Sequence, residues 1–185
     1  MSYDLNNAKL SKLINKTLFL IDSSAFCRIE ELAVATGLHL LLLMKSSTKT
    51  HFLLTNEVFV ELMNGPRVLH PKFILDHIIN AEGSMSHDLK ENRFLIEENG
   101  QIKYIVLNKV SAQDWGQVLL CQNHPELILV SNDRKLLKSA GIILKERVIG
   151  INALIDRMIQ LEPEIQEYRK LKEEALKLFE LKKVN

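Results

Sequence analysis

The sequence predicts an α/β fold with a central, mainly parallel sheet. Strand-like and helix-like segments alternate along most of the chain, an order typical of parallel strands joined by crossover helices. Two strand-like runs, Thr17–Ile21 and Leu127–Val130, are apolar at nearly every position, as expected of strands covered by helices on both faces. The third observation is Asn99-Gly100 between two β-prone runs, which predicts an inserted β-hairpin near residues 92–108.

The other elements follow from local signals. Strand Thr17–Ile21 ends at Asp22, and a helix is predicted over 28–45. A strand over 51–55 stops at Thr55-Asn56, which are good N-cap residues for a helix over 57–63. Apolar spacing predicts another helix within 71–90 and helices over 112–123 and 134–139, with edge strands at 142–144 and 148–149.

From residue 152 the pattern is purely helical, interrupted at Pro163. We therefore predict a domain over residues 1–150 and a helical C-terminal extension over 151–185. Its apolar stripe is expected to pack on its own domain first, with a homodimer or a protein partner as the alternatives. The stripe consists of Ile165, Tyr168, Leu171, Ala175 and Leu178.

Length and composition exclude several classes of protein. The chain has 185 residues, 46% of them hydrophobic, which suits one domain with a sizeable core. A net charge of +1 excludes a strong overall field, so any polyanion would bind locally. The longest apolar run, residues 40–44, is too short to cross a membrane. Cys27 and Cys121 form no Cys-x-x-Cys motif, so we predict a reducing, cytoplasmic location.

Acidic residues fall where predicted strands end and helices begin. Asp22 follows the first strand, and Asp133 follows Leu127–Val130 almost directly. Glu61 lies in the helix after the second strand, and Asp114 lies in the first turn of the helix after Ser111. The carboxyl ends of parallel strands share one edge, so we expect these carboxylates to lie close together.

A gathering of carboxylates requires a counter-charge. Oxygen ligands without a Cys or His set favour Mg²⁺ or Mn²⁺, which can activate water at a phosphodiester. Each acid also has an ordinary explanation, as an Asx-turn at Asp22, a capping box at Ser111 and Asp114, or an N-cap at Asp133. Glu57, in the first turn of its helix, is assigned the ordinary role of interacting with the helix dipole.

Four segments of the chain resemble the PIN-domain family of metal-dependent ribonucleases over about residues 17–150. The most specific is Ser131-Asn132-Asp133, which resembles the family's Thr-Asn-Asp turn. The segments are 18–24 (LFLIDSS), 54–62 (LTNEVFVEL), 110–114 (VSAQD) and 129–136 (LVSNDRKL).

The resemblance implies a PIN-like α/β/α sandwich and an endoribonuclease that acts on single-stranded RNA, either a toxin or an RNA-processing enzyme. It implies that catalysis and binding of Mg²⁺ or Mn²⁺ depend on Asp22, Glu61, Asp114 and Asp133. Ser24, Ser131 and Asn132 would hold the carboxylates in place. Arg134 and Lys135 would contact a substrate phosphate, within a local basic cluster that continues to Lys138, Lys145 and Arg147.

Two other readings stay open. A catalytically inactive PIN-like module could bind RNA or protein through the same surface. A phosphotransfer domain also places Asp residues at strand ends, but the sequence around Asp22 does not resemble one. Trp115 could stack on a base, although a tryptophan on a helix more often belongs to the core.

Overall fold

The computed structural model describes residues 15–38, 47–64, 78–79, 93–98, 101–106 and 110–184. Its strands are β1 (Thr17–Ile21), β2 (Thr50–Thr55), β3 (Ile78–Ile79), β4 (Arg93–Glu98), β5 (Gln101–Val106), β6 (Leu127–Val130) and β7 (Val148–Ile149). Its helices are α1 (Ser23–Thr36), α2 (Asn56–Asn64), α3 (Ala112–Asn123), α4 (Arg134–Leu144), α5 (Ile151–Leu161) and α6 (Gln166–Val184).

The main sheet contains five strands in the order β3-β2-β1-β6-β7, and each described pairing is parallel. The first strand of the chain is therefore central. Phe19 of β1 is in register with Phe52 of β2, and their rings stack with centroids 5.4 Å apart. This confirms the predicted α/β class and its parallel sheet.

Helices cover both faces of this sheet because successive strand residues point to opposite sides. Phe19 and Ile21 belong to a core formed with α1, α2, α5 and α6. Leu18 and Leu20 belong to a second core formed with α3 and α4. Burial on both sides explains why β1 and β6 are almost continuously apolar.

Most of the predicted elements near the sheet are confirmed, with three corrections. Helix α1 begins at Ser23 and ends at Gly37, whose φ of 63° suits a glycine C-cap. Ile78 and Ile79, predicted to be helical, pair with β2 as strand β3. Residues 142–144 continue helix α4 instead of forming an edge strand, because α4 presents Leu136, Ala140 and Leu144 to the core.

The predicted hairpin is formed by β4 and β5, which pair antiparallel as a separate two-stranded sheet. Its two central residues, 99–100, lie outside the described residues, as do most of the predicted helix over 71–90 and the end of that over 28–45. The type of the hairpin turn therefore stays a prediction.

The C-terminal extension packs on the domain that precedes it. Leu154 and Met158 of α5, and Tyr168 and Leu171 of α6, are buried in the same core as β1 and α1. The exposed residues of α6 between 166 and 177 are polar or charged except for Leu176. Within the described part of the chain, no helix combines the length and the apolar character needed to cross a membrane.

Candidate functional site

The candidate site lies where the order of the strands reverses, between β1 and β6. From β1 the chain adds β2 and β3 on one side and β6 and β7 on the other, so the strand order reverses between β1 and β6. Ligands of open parallel sheets bind beyond the carboxyl ends of the strands at such a reversal. Asp22 directly follows β1 there, and Ser131 directly follows β6.

Asp22 is almost completely buried, with 2% of its surface exposed. Its Oδ1 atom accepts from the backbone N–H of Ala25 at 2.6 Å, which makes Asp22 the N-cap of α1. Its Oδ2 atom accepts from Ser131 Oγ at 2.6 Å, and Ser24 Oγ lies 2.9 and 3.1 Å from the two oxygens. The carboxylate is thus held in one orientation by groups from β1–α1 and from the end of β6.

Burial raises the pKa of Asp22 above its ordinary value, even though the hydrogen bonds from Ser131, Ala25 and Ser24 act in the opposite direction. The negative charge of Asp114 raises it further. Asp22 and Asp114 are therefore within electrostatic range of each other, on elements far apart in sequence. A buried carboxylate beside a second acid would be stabilised by a nearby cation.

The turn after β6 is tied to Asp22 through two serine hydroxyls. Ser24 Oγ accepts from the backbone N–H of Asn132 at 3.0 Å, and Ser131 Oγ accepts from that of Asp133 at 3.0 Å. Asn132 thus contributes its backbone, whereas its side chain is exposed. Of the three residues predicted to hold the carboxylates, Ser24 and Ser131 contact Asp22, and Asn132 contacts Ser24 through its backbone.

Asp133 is the N-cap of α4. Its Oδ1 atom accepts from the backbone N–H groups of Lys135 at 2.6 Å and Leu136 at 3.4 Å. The residue is exposed, and no described residue donates a hydrogen bond to its Oδ2 atom. One oxygen therefore fixes the start of the helix, and the other accepts no hydrogen bond from the described residues.

Asp114 forms a capping box with Ser111 at the start of α3. Ser111 Oγ donates to Asp114 Oδ2 at 2.8 Å, and the backbone N–H of Asp114 donates to Ser111 Oγ at 3.1 Å. The predicted capping box is confirmed. It also orients Asp114 at the end of α3 that lies at the carboxyl edge of the sheet, since α3 leads into the beginning of β6.

Glu61 reaches the same region through a residue that sequence reasoning missed. Gln113 Nε2 donates to Glu61 Oε2 at 2.8 Å, which joins α2 to the first turn of α3 beside Asp114. Gln113 directly precedes Asp114 in the sequence, and that adjacency was the available signal. The contact joins Glu61 to the residue that precedes Asp114, in the first turn of α3.

Two buried oxygen atoms near this edge accept no hydrogen bond from the described residues: Oε2 of Glu57 and Oε1 of Gln117. Glu57 lies one helical turn before Glu61 on α2, and Gln117 lies one turn after Gln113 on α3. Buried polar atoms usually have a partner. Both residues flank the Glu61–Gln113 contact, so acceptors remain available there for a ligand or for water.

The predicted basic cluster is divided by the structure. Arg134 and Lys135 are exposed beside Asp133, as a phosphate contact requires. Arg147, by contrast, turns inward, and its Nη1 donates to the carbonyl oxygens of Cys121 at 2.6 Å, Leu127 at 3.3 Å and His124 at 3.4 Å. Trp115 is completely buried among core residues, which excludes base stacking on it.

The metal fit depends on how many ligands the protein must supply. Among the described residues, no group of three His, Cys, Asp or Glu side chains is arranged to hold a metal ion. Mg²⁺, however, keeps several waters and is usually held by one or two carboxylates together with substrate phosphates. Of the four predicted acids, Asp22 and Asp114 lie within electrostatic range of each other, which would suit an ion held mainly through water.

Comparisons with known proteins name no family for this chain. A scan against protein-family models, a search of curated proteins and a search of solved structures each found no match. Any function assigned to the chain therefore depends on the geometry described above and on the resemblance of its short motifs.

Proposed function

We propose that this protein is a metal-dependent endoribonuclease that cleaves single-stranded RNA at the carboxyl edge of its sheet, with a PIN-like domain. The observation that carries the proposal is Asp22: a carboxylate buried at the reversal of strand order, oriented by Ser131 and Ser24, and close enough to Asp114 to feel its charge. A buried carboxylate within range of a second negative charge is costly for a fold when no cation compensates it. Sites that perform chemistry on phosphates contain such arrangements.

The residues divide the work as follows. Asp22 and Asp114, with Asp133 from the adjacent strand end, would hold Mg²⁺ or Mn²⁺ mainly through water. The bound ion would polarise the phosphodiester and lower the pKa of an attacking water. Glu61, kept in place by Gln113, would orient that water. Arg134 and Lys135 would neutralise the neighbouring phosphates of the RNA.

A second candidate is a PIN-like module that binds RNA or protein without cutting it. The observation that favours it is the ordinary structural use of the acids, because Asp22, Asp114 and Asp133 all cap helices. Capping uses only part of a carboxylate such as that of Asp133, whose second oxygen accepts no hydrogen bond from a described residue, since an ionised carboxylate offers about four acceptor positions. The two candidates differ in one property, cleavage.

Cleavage of a labelled single-stranded RNA in Mn²⁺ tests the proposal. We expect the wild-type chain to cut, EDTA to stop it, and Asp22→Asn and Asp133→Asn to reduce the rate to background. Asp156→Asn, which removes a carboxylate that pairs with Lys172 away from this edge, is the matched control and should cut normally. Cutting retained by both site variants would reject the assignment, and RNA binding without cutting would favour the second candidate.

A binding measurement checks the metal without any activity. If Asp22 and Asp114 hold the ion, Mn²⁺ should raise the melting temperature of the wild-type chain, because a ligand that binds only the native state stabilises it. The rise should be absent in Asp22→Asn and preserved in Asp156→Asn. An equal rise in all three proteins would place the ion elsewhere.

A further inference from the structure

The exposed face of α4 carries cations without anions. Arg134, Lys135 and Lys138 are exposed, whereas Leu136 and Ala140 on the opposite side are buried against the sheet. The helix contains no acidic residue, and Lys145 adds another exposed cation where it ends. Glu146 is the one acidic residue in the sequence from 134 to 147. Positive charge is therefore concentrated in the first turns of α4, and Lys145 adds a further cation after a stretch without charge that includes the exposed Ile142.

Some cations on the other described helices lie beside an acidic partner, whereas others, such as Arg169 and Lys170 on α6, form no ion pair with a described residue. Lys172 pairs with Asp156, Lys177 with Glu174, and Arg28 with Glu31. None of the four cations along α4 forms an ion pair with a described residue. A row of unpaired cations is the electrostatic footprint expected of a surface for a polyanion, which releases bound counterions when it docks.

Lys145 provides an independent observation. Its φ is 54°, in the left-handed region that favours glycine, and it is the one non-glycine residue with positive φ among those described. Lys145 is the C-cap of α4, where its backbone N–H donates to the carbonyl oxygen of Gly141, and a lysine in this conformation is strained relative to the glycine that usually occupies such a cap. The strain is tolerated at the place where the fourth cation of the row is presented.

We propose that the exposed face of α4, from Arg134 through Lys138 to Lys145, is a binding track for the phosphate backbone of single-stranded RNA. The helix begins at Asp133 and rises about 1.5 Å per residue, so the track leads from the acidic edge along the outer surface of the domain. It would hold the RNA on one side of the cleaved bond, which rests on the proposed endoribonuclease function. Because the contacts are to phosphates, the track is expected to bind RNA without sequence preference.

The test measures binding separately from cleavage. The anisotropy of a labelled single-stranded RNA reports its binding to the protein. It is measured in EDTA with the Asp22→Asn protein, so that no cleavage occurs. The same measurement is made with the Asp22→Asn protein that also carries Lys138→Ala and Lys145→Gly. Affinity at low salt should fall by roughly 10-fold, and the slope of log K against log salt should decrease by about 1.4, or about 0.7 for each lost contact. Arg169→Ala with Lys170→Ala removes the same charge from the exposed face of α6, on the other side of the sheet, and should change neither quantity.

The Lys145→Gly variant also controls for folding. Its melting temperature should rise, because glycine relieves the strain at positive φ, so a lower affinity would not reflect unfolding. Three outcomes would overturn the proposed track. They are an equal loss of RNA affinity in the two double variants, no loss of RNA affinity in either, and a preference for anionic lipid vesicles over RNA. If the wild type cleaves RNA normally and the α4 variant binds RNA as tightly as the wild type, the track is rejected and the proposed nuclease function is not. If RNA binding depends on the α4 cations but the wild type does not cleave RNA, the proposed nuclease function is rejected and the track is not.

Discussion

Asp22 stabilises the fold by capping a helix and destabilises it by burying a carboxylate. It caps α1 through Ala25, which stabilises the helix by about 1 kcal/mol. Its burial, together with the charge of Asp114, raises its pKa, so the ionised form is less favourable in the native state than in the unfolded chain. Residues placed for chemistry commonly reduce stability in this way.

Asp22→Asn is therefore expected to leave the free energy of unfolding at pH 7 equal to or higher than that of wild type. Asparagine keeps an acceptor for the cap and carries no buried charge. Burial raises the native pKa of Asp22 above its ordinary value of 3.8. As the pH rises from 3.8 through the native pKa, the wild type therefore loses stability relative to the variant, and below 3.8 the difference in stability disappears. Urea unfolding at several pH values measures this difference. A variant clearly less stable at pH 7 would contradict it.

Ser131→Ala tests how the carboxylate is held. The substitution removes the hydroxyl that donates to Asp22 Oδ2 and accepts from the backbone of Asp133. Groups that orient a metal-binding side chain typically affect metal affinity or activity by about 10–100-fold. We expect Mn²⁺-dependent cleavage to fall by that factor, with Ser139→Ala, a serine on α4 remote from Asp22, as the control. Unchanged activity would mean that Ser131 serves packing alone.

At the scale of elements, one buried acid joins the C-terminal helices to the segment before β2. Glu162, at the end of α5, accepts from Ser47 Oγ at 2.5 Å, from the backbone N–H of Thr48 at 2.9 Å and from Thr48 Oγ1 at 3.1 Å. Burial would raise its pKa, but these hydrogen bonds outweigh burial and lower the pKa below its ordinary value. Tyr168 of α6 also donates to it, at 3.4 Å.

Glu162→Gln should destabilise the protein by about 2 kcal/mol at pH 7, since hydrogen bonds to a charged group contribute about 1.5–3 kcal/mol. A lowered native pKa means that this stability is present above the ordinary value of 4.5 and is lost as pH falls through the native pKa. The difference between wild type and variant should therefore shrink in acid. Glu164→Gln, an exposed neighbour, is the control, and an equal effect of both variants would contradict the assignment.

At the scale of the whole molecule, the sequence predicted the elements around β1 and β6 best. Burial on both faces leaves these strands continuously apolar, and the polar turns after them are unambiguous at Asp22 and Asp133. Ile78 and Ile79 were misjudged because a two-residue strand has no periodicity of its own and depends on pairing with β2. The acids could be located from strand ends, but the partner of Gln113 and the inward turn of Arg147 depend on tertiary contacts, for which the only local signal was the position of Gln113 directly before Asp114.

The C-terminal helices α5 and α6 complete one of the two cores of the molecule. Leu171 and Leu176 lie on the same helix, but Leu171 is 0% exposed and Leu176 is 48% exposed. Leu171→Ala should cost about 2–5 kcal/mol, as large-to-small core substitutions do, whereas Leu176→Ala should cost well under about 1 kcal/mol. Urea unfolding of both variants gives the comparison.

The same reasoning predicts that residues 1–150 do not fold alone. Removing 151–185 exposes the face of α1 and the sheet that α5 and α6 cover, including contacts of Phe26, Ile29 and Ile149. Several buried side chains are lost at once, each contributing about 2–5 kcal/mol, against a total stability of about 5–15 kcal/mol for a domain. We expect the truncated chain to show no cooperative thermal transition by circular dichroism. A cooperative transition near the wild-type temperature would mean that the extension is an accessory and that the acidic edge of the sheet is built without it.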